Sequence, residues 1–142
     1  MTSEEITDRI LAVLEADAKA SYAQIAEQVG VSKPTVRKYV QRLEDEGVIV
    51  GYTAEVDPKT LSGETIALVG VEAERDRYVE AARGLREVEE IRSLYTSSGD
   101  HMFMAEVRAA DSEALGNVIS ERILVVEGVT AAHPAVLQER LK

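Results

Sequence analysis

The sequence contains no cysteine and no tryptophan, one phenylalanine, three prolines and only five lysines. Without cysteine there is no disulfide framework, no thiolate metal site and no sulfur nucleophile, which fits an intracellular protein. With so few aromatics, the core must be built from Val, Ile, Leu and Ala. No apolar run approaches the ~18 residues of a membrane-spanning helix. The opening segment, MTSEEITDRI, is acidic and lacks the basic start and apolar centre of a signal peptide. These absences lead us to expect a soluble, cytoplasmic protein with no membrane partner. There is also no glycine-rich phosphate loop, no nucleophile motif and no histidine pair on one helix. No catalytic residue, no metal and no cofactor is therefore expected, and the many carboxylates read as solvated surface.

What is present is acid. The 142 residues carry 26 Asp and Glu against 16 Lys and Arg, a formal net charge of −10. The acids are spread along the chain, and an acidic surface poor in lysine is what a high-salt cytoplasm favours. Hydrophobic residues make up 45%, enough for one ordinary domain or two small ones without a metal or disulfide staple.

The first 47 residues read as three helices. SEEITDRILAVLEADAK places Ile6, Ile10, Val13 and Leu14 at helical spacing. SYAQIAEQVG opens with Ser21 and Gln24 at capping-box spacing and closes on Gly30. VSKPTVRKYVQRLEDEG has Ser32 as N-cap, Pro34 in the first turn and Gly47 as terminator. Residues 48–50 and 53–56 read as short strands about Gly51, with turns at Asp57-Pro58 and Ser62-Gly63. The rest alternates: a strand in TIALVGVEA, a helix in RDRYVEAARGLRE with Tyr78, Val79, Ala82 and Leu85 inward, and strands in VEEIRSLY and HMFMAEVRA. DSEALGNVISERIL follows as a helix capped by Asp111 or Ser112, and GVTAAHPAVLQ as a last strand. The order is βαββαβ, the ferredoxin-like pattern, so the fold class is α+β. Pro134 fits an edge strand. Ile66 and Leu68 oppose Ala67, Val69 and Val71, and Met102 and Met104 oppose Phe103, Ala105 and Val107. Both faces of the central strands are thus apolar, while two helices cover only one. A second copy of the same sheet is the simplest cover for the other, giving a homodimer. The connector or the N-terminal helices lying there is the alternative.

The third helix carries the chemistry. Lys33, Arg37, Lys38 and Arg42 precede its first acid, Glu44. Val36, Val40 and Leu43 share one face, and Pro34, Lys38 and Gln41 lie opposite, flanked by Thr35 and Arg42 on one side and Arg37 on the other. A basic, hydrogen-bonding surface about three turns long suits the major groove of double-stranded DNA, and Ser32 with the first-turn amides suits a phosphate. A solvated helix face is the alternative. The overall charge opposes DNA binding, but charges beyond about 8–10 Å are screened at ordinary ionic strength, whereas these four cations would touch phosphates.

The stretch ILAVLEADAKASYAQIAEQVGVSKPTVRKYVQRLEDEGVIVGYTAEVDPKTL, with the later YTSSGDHMFMAEV and VEGVTAAHPAVL, resembles the Lrp/AsnC (leucine-responsive, feast/famine) family of transcription regulators. The most specific block is RLEDEGVIVGYTAEVDP. The resemblance implies a winged helix-turn-helix domain over residues 1–50, a hinge strand and linker over 51–63, and a βαββαβ effector and oligomerisation domain over 64–142. It also implies homodimers that often assemble to tetramers or octamers, with amino acids as the usual effectors. With the acidic composition it points to a haloarchaeal host. Tyr39 stands where the family usually has Arg, Met102 stands at the second Asp of a Gly-Asp-x-Asp loop, and His133 takes a position often held by Thr.

On the helical wheel of the third helix, DNA contacts fall to Ser32, Lys33, Pro34, Thr35, Arg37, Lys38, Gln41 and Arg42. Lys33, Lys38 and Arg42 are assigned to phosphates and Thr35, Arg37 and Gln41 to base edges. The resemblance implies an effector pocket near a subunit contact, which falls to Tyr95, Ser97, Ser98, Gly99, Asp100, His101 and Met102. In it, Asp100 would hold an amine and the loop amides a carboxylate; a purely structural Asx or glycine turn is the alternative. His101 and His133 lie on strands that are not neighbours in this fold, so a metal shared within one subunit is not expected. The rival readings are a sirohaem decarboxylase-like enzyme on the same domain pair and a metabolite sensor with no DNA role.

Overall fold

The computed structural model describes residues 1–57 and 63–142. The turn residues Pro58 and Ser62 and most of the proposed linker's second half lie outside the described residues. The chain divides into two compact units, Met1–Glu55 and Val56–Lys142.

The first unit is helical: α1 (Ser3–Ala16), α2 (Tyr22–Val29) and α3 (Lys33–Asp45). Each start is fixed locally. Thr2 and Glu5 form a capping box before α1, and Ser21 and Gln24 form one before α2. Gly30 ends α2 at φ 82°, a left-handed conformation that side chains other than glycine rarely adopt, and this permits the short turn into α3. Ile10, Ile25, Ala26, Val29, Val36 and Val40 close into one core, and Ile49 packs against it. Residues 48–56 form no strand, contrary to the sequence pattern. A strand is a pairing state, and the described chain offers this segment no ladder partner. Val48 and Ile49 bend back, their amides donating to Leu43 O at 2.9 and 3.0 Å, and the segment is held further on at Tyr52, whose hydroxyl donates to Glu44 Oε1 at 2.7 Å.

That bond carries a pH signature. Burial, then the Glu44 hydrogen bond, push the Tyr52 phenol from 10.0 up to about 12. A folded value raised above the unfolded one gives stability that is complete below the unfolded value near 10.0 and is lost as pH climbs through about 12. Tyr52→Phe is expected to remove that fraction of the alkaline destabilisation. Thermal melts of both chains across this window should converge as pH rises; parallel curves would contradict the assignment.

The second unit is a four-stranded antiparallel sheet of order β2-β3-β1-β4. Its strands are β1 (Thr65–Ala73), β2 (Ile91–Thr96), β3 (Phe103–Ala109) and β4 (Val129–Val136), and its helices are α4 (Tyr78–Arg86) and α5 (Ser112–Val118). Asp111 caps α5, accepting from the Ala114 amide, and the helix runs on as a π-helical turn, Ile119–Ile123. This is the expected βαββαβ order, with β1 and β3 central and Pro134 on the edge strand β4, where its missing N–H costs no ladder bond. Ala67, Val69, Val71, Phe103, Ala105 and Val107 meet Ala81, Leu85, Leu115, Val118 and Ile123 in one core, with Tyr78 stacked on Phe103 at 5.0 Å between ring centroids.

Four expectations are corrected. Val79 is 63% exposed and Ala81 is buried, because the sheet-facing stripe of α4 runs through Tyr78, Ala81, Ala82 and Leu85. Residues 88–90 form the turn out of α4, with the Val88 amide donating to Leu85 O, so β2 begins only at Ile91. His101 and Met102 precede β3. Strand alternation does not govern them, and Met102 packs against the core cluster instead of opposing Phe103. The other face of the sheet is mixed. Ile66, Leu68 and Met104 share it with Glu72, Glu106, Arg108 and His133, as the register of β1 with β3 and β4 requires.

Candidate nucleic-acid interface and effector loop

The basic helix presents its charges as the helical wheel requires. Val36, Val40 and Leu43 are buried, which turns Lys33, Pro34, Arg37, Lys38 and Gln41 outward. Among the described residues, the side chains of Lys33, Arg37, Lys38 and Gln41 take part in no hydrogen bond or ion pair. They are free to meet a ligand. Ser32 is extended at φ −74° and ψ 155°, and its oxygen accepts from the Thr35 amide at 3.2 Å. The Thr35 and Ser32 hydroxyls lie 2.8 Å apart, so Thr35 is already engaged in the cap. The remaining first-turn amides form the positive end of the helix dipole beside Lys33.

Arg42 differs from the other three cations. Its guanidinium lies over the Tyr39 ring at 4.6 Å, Nη2 donates to Thr7 Oγ1 at 3.2 Å, and Nε is 4.0 Å from Glu46. Tyr39 in turn donates to Ser3 Oγ at 3.0 Å. Tyr39 and Arg42 thus tie α3 back to α1, and the outward cations are Lys33, Arg37 and Lys38. A tyrosine at position 39 spends its hydroxyl inside the unit, where an arginine would have added a cation.

In the second unit, Ser97, Ser98, Gly99, Asp100, His101 and Met102 form the loop between β2 and β3. The Ser97 amide donates to Met102 O at 2.9 Å, and the Gly99 amide to Ser97 Oγ at 3.1 Å. Ser98, Gly99 and Asp100 are exposed. Tyr95 pairs with Met104 at the end of β2 and is 66% exposed. His101 leaves the loop to lie against β1, where its Nδ1 is 2.6 Å from Glu72 Oε1. The expectation that strand order keeps the two histidines apart is corrected, since the His101 and His133 rings stack at 5.0 Å. Glu72 and His133 were missed as neighbours of this loop. The sequence does carry a signal, because Gly70 and Glu72 alternate onto one face of the strand that separates β3 from β4.

Known proteins bear on both units. Residues 4–50 match the winged helix-turn-helix DNA-binding family and residues 66–142 match the Lrp/AsnC ligand binding domain. The chain belongs to the Lrp/AsnC family. It is 63% identical over 142 residues to the HTH-type transcriptional regulator LrpA1 of Halobacterium salinarum, covering 100% of both chains. It is 42% identical over 133 residues to the HTH-type transcriptional regulator LrpA of Pyrococcus horikoshii, covering 94% of each. Among solved structures, the feast or famine regulatory protein of M. tuberculosis complexed with L-methionine superposes with a TM-score of 0.84 at 25% identity, over 99% of this chain and 95% of that one. This Lrp/AsnC protein is therefore a DNA-binding transcription regulator. Nothing in these likenesses favours the sirohaem decarboxylase alternative. Among the described residues no helix is long and apolar enough to cross a membrane.

Proposed function

We propose that this regulator binds its operators as a homodimer, with α3 of each copy in the major groove, and that a small molecule of the amino-acid class acts through the second domain. The observation that carries the DNA half is the outward, unengaged row Lys33, Arg37, Lys38 and Gln41 on a rigidly capped helix. Lys33 and Lys38 would meet phosphates, with Ser32 and Pro34 seating the helix start against the backbone. Arg37 and Gln41 would reach base edges. Thr35 can do so by exchanging its bond to Ser32, and Arg42 can reach a phosphate only by leaving Thr7. Residues 1–50 would read DNA, 51–63 would link, and 64–142 would sense and assemble.

Dimerisation is supported by the sheet face that the helices leave open, where Leu68 is 40% exposed, and by Val50, 95% exposed on a segment with no ladder partner among the described residues. A second copy supplies a cover for the one and a strand for the other, and further assembly to tetramers or octamers would follow the family. The effector half is supported by the L-methionine held by the mycobacterial relative and by the exposed Ser98, Gly99 and Asp100 beside Tyr95, His101 and Met102. The acidic surface and the Halobacterium relative support a high-salt cytoplasm as the working environment.

Gel shifts on the protein's own upstream region across a salt series test the DNA half. Lys38→Ala is expected to weaken binding almost uniformly over sequences and to lower the log–log salt slope by about 1 per recognition helix. An unchanged slope would remove Lys38 from the contacts. The same shift repeated with each amino acid tests the effector half, since an effector changes affinity or complex size for one or a few of them and leaves the rest inert.

A further inference from the structure

The two histidines of the chain, 32 positions apart, one in the loop entering β3 and one on β4 with β1 between, converge on one spot of the open sheet face. The convergence has a structural cause. β1 lies between β3 and β4, and its Gly70 stands opposite both Met104 and His133. A Cβ on Gly70 would fall 2.2 Å from His101 Cδ2. Only a residue without a side chain lets the His101 imidazole lie across the strand. From there His101 stacks on His133, with 24° between the ring planes. Glu72, two residues beyond Gly70 on the same face, brings a carboxylate oxygen to 2.6 Å from His101 Nδ1. One ligand atom from each of Glu72, His101 and His133 lies within 4.8 Å of the other two.

We propose that Glu72, His101 and His133 form a binding site for a divalent transition-metal ion of the zinc class, which fastens the edge strand β4 to the loop entering β3 across Gly70. Two imidazole nitrogens and one carboxylate oxygen are a donor set that zinc accepts, and they leave a fourth tetrahedral position for water or an incoming ligand. The donor set also selects. Calcium and magnesium prefer all-oxygen shells, whereas imidazole favours zinc, cobalt, nickel and copper. Metal–ligand distances of about 2.0–2.2 Å place tetrahedral donors about 3.4 Å apart. Glu72 and His101 stand closer than this, at 2.6 Å, and part to admit the ion, while His133, within 4.8 Å of both, has an exposed side chain that can swing to the required distance. The Glu72–His101 hydrogen bond is the metal-free arrangement; on binding, the ion takes the place of the bridging proton, which leaves to solvent. The site goes beyond the amino-acid reading and does not depend on it, though His101 borders both.

The test uses the full chain stripped with a chelator and freed of amino acids, titrated with zinc chloride by calorimetry and with cobalt chloride by visible absorbance. One ion per chain is expected to bind saturably, with a cobalt d–d band that marks a low-coordination nitrogen–oxygen site. His133→Ala and Glu72→Gln are each expected to weaken binding by at least about 10–100-fold. Gly70→Ala should do the same by displacing the His101 ring. His133 lies on the sheet face that a second copy would cover, so the metal-free His133→Ala chain is compared with the parent by far-UV circular dichroism and by its assembly size, and a match in both separates loss of the site from loss of the fold or of the dimer. No saturable binding would overturn the proposal. So would binding that His133→Ala leaves unchanged, because the ions would then be adsorbed on the acidic surface. Neither result bears on the amino-acid effector, which is read in the gel shifts without metal.

Discussion

Alanine in place of Arg37 is expected to erase most of the protein's preference for its own upstream DNA while leaving the helical unit folded. Arg37 is exposed and makes no hydrogen bond or ion pair among the described residues, so its removal opens no cavity and orphans no partner. On the duplex the situation reverses. A guanidinium on a base edge contributes about 1–3 kcal/mol of discrimination, and the two heads of a dimer lose it together, about 2–6 kcal/mol in all. Operator affinity should therefore fall roughly 30-fold or more, whereas affinity for random duplex falls only by the loss of one charge per head. Competition gel shifts with operator and random DNA measure that ratio. If specificity were retained and overall affinity lowered evenly, Arg37 would be a phosphate contact and the base-reading role would pass to Gln41 or Thr35.

Phe103→Ala is expected to have the largest effect on stability. Phe103 is 1% exposed, lies on the central strand β3 opposite Val71, and stacks on Tyr78. Truncating a buried phenylalanine costs about 3–5 kcal/mol in lost transfer energy and cavity. A domain of this size holds a total of only about 5–15 kcal/mol, so its melting temperature should drop on the order of 20 °C. The cores of the two units share no buried residue. Amide exchange should therefore accelerate across β1, β3 and α4, while α2 and α3 keep their protection. Equal loss of protection in both units would show that they fold as one.

The parts of this molecule that were legible in its sequence are those whose causes are local. Ser21 with Gln24, Ser32 ahead of Pro34, and Gly30 mark helix ends by their own side-chain and backbone chemistry. The alternation of Ile66, Ala67, Leu68 and Val69 marks a central strand, and Pro134 marks an edge. Where causes were distributed, the pattern misled. In α4 the apolar residues at 78, 79, 81, 82 and 85 fit two overlapping stripes, and only packing on the sheet chooses the one that excludes Val79. Residues 48–56 have strand composition, but a strand needs a partner that composition does not reveal. Arg42 reads as one of four equivalent cations until Tyr39 and Thr7 take hold of it. The approach of His101 to His133 depends on Gly70 of β1, a residue outside both the loop of His101 and the strand of His133.

The central claim is that two copies, joined through their C-terminal domains, present two α3 helices to one face of a duplex. A footprint of the protein on its own upstream region tests this most directly. Two protected half-sites with centres about 34–36 Å apart along the helix axis, or a multiple of that distance, are predicted. A single protected segment from a monomer, or protection no stronger than on random duplex, would contradict it.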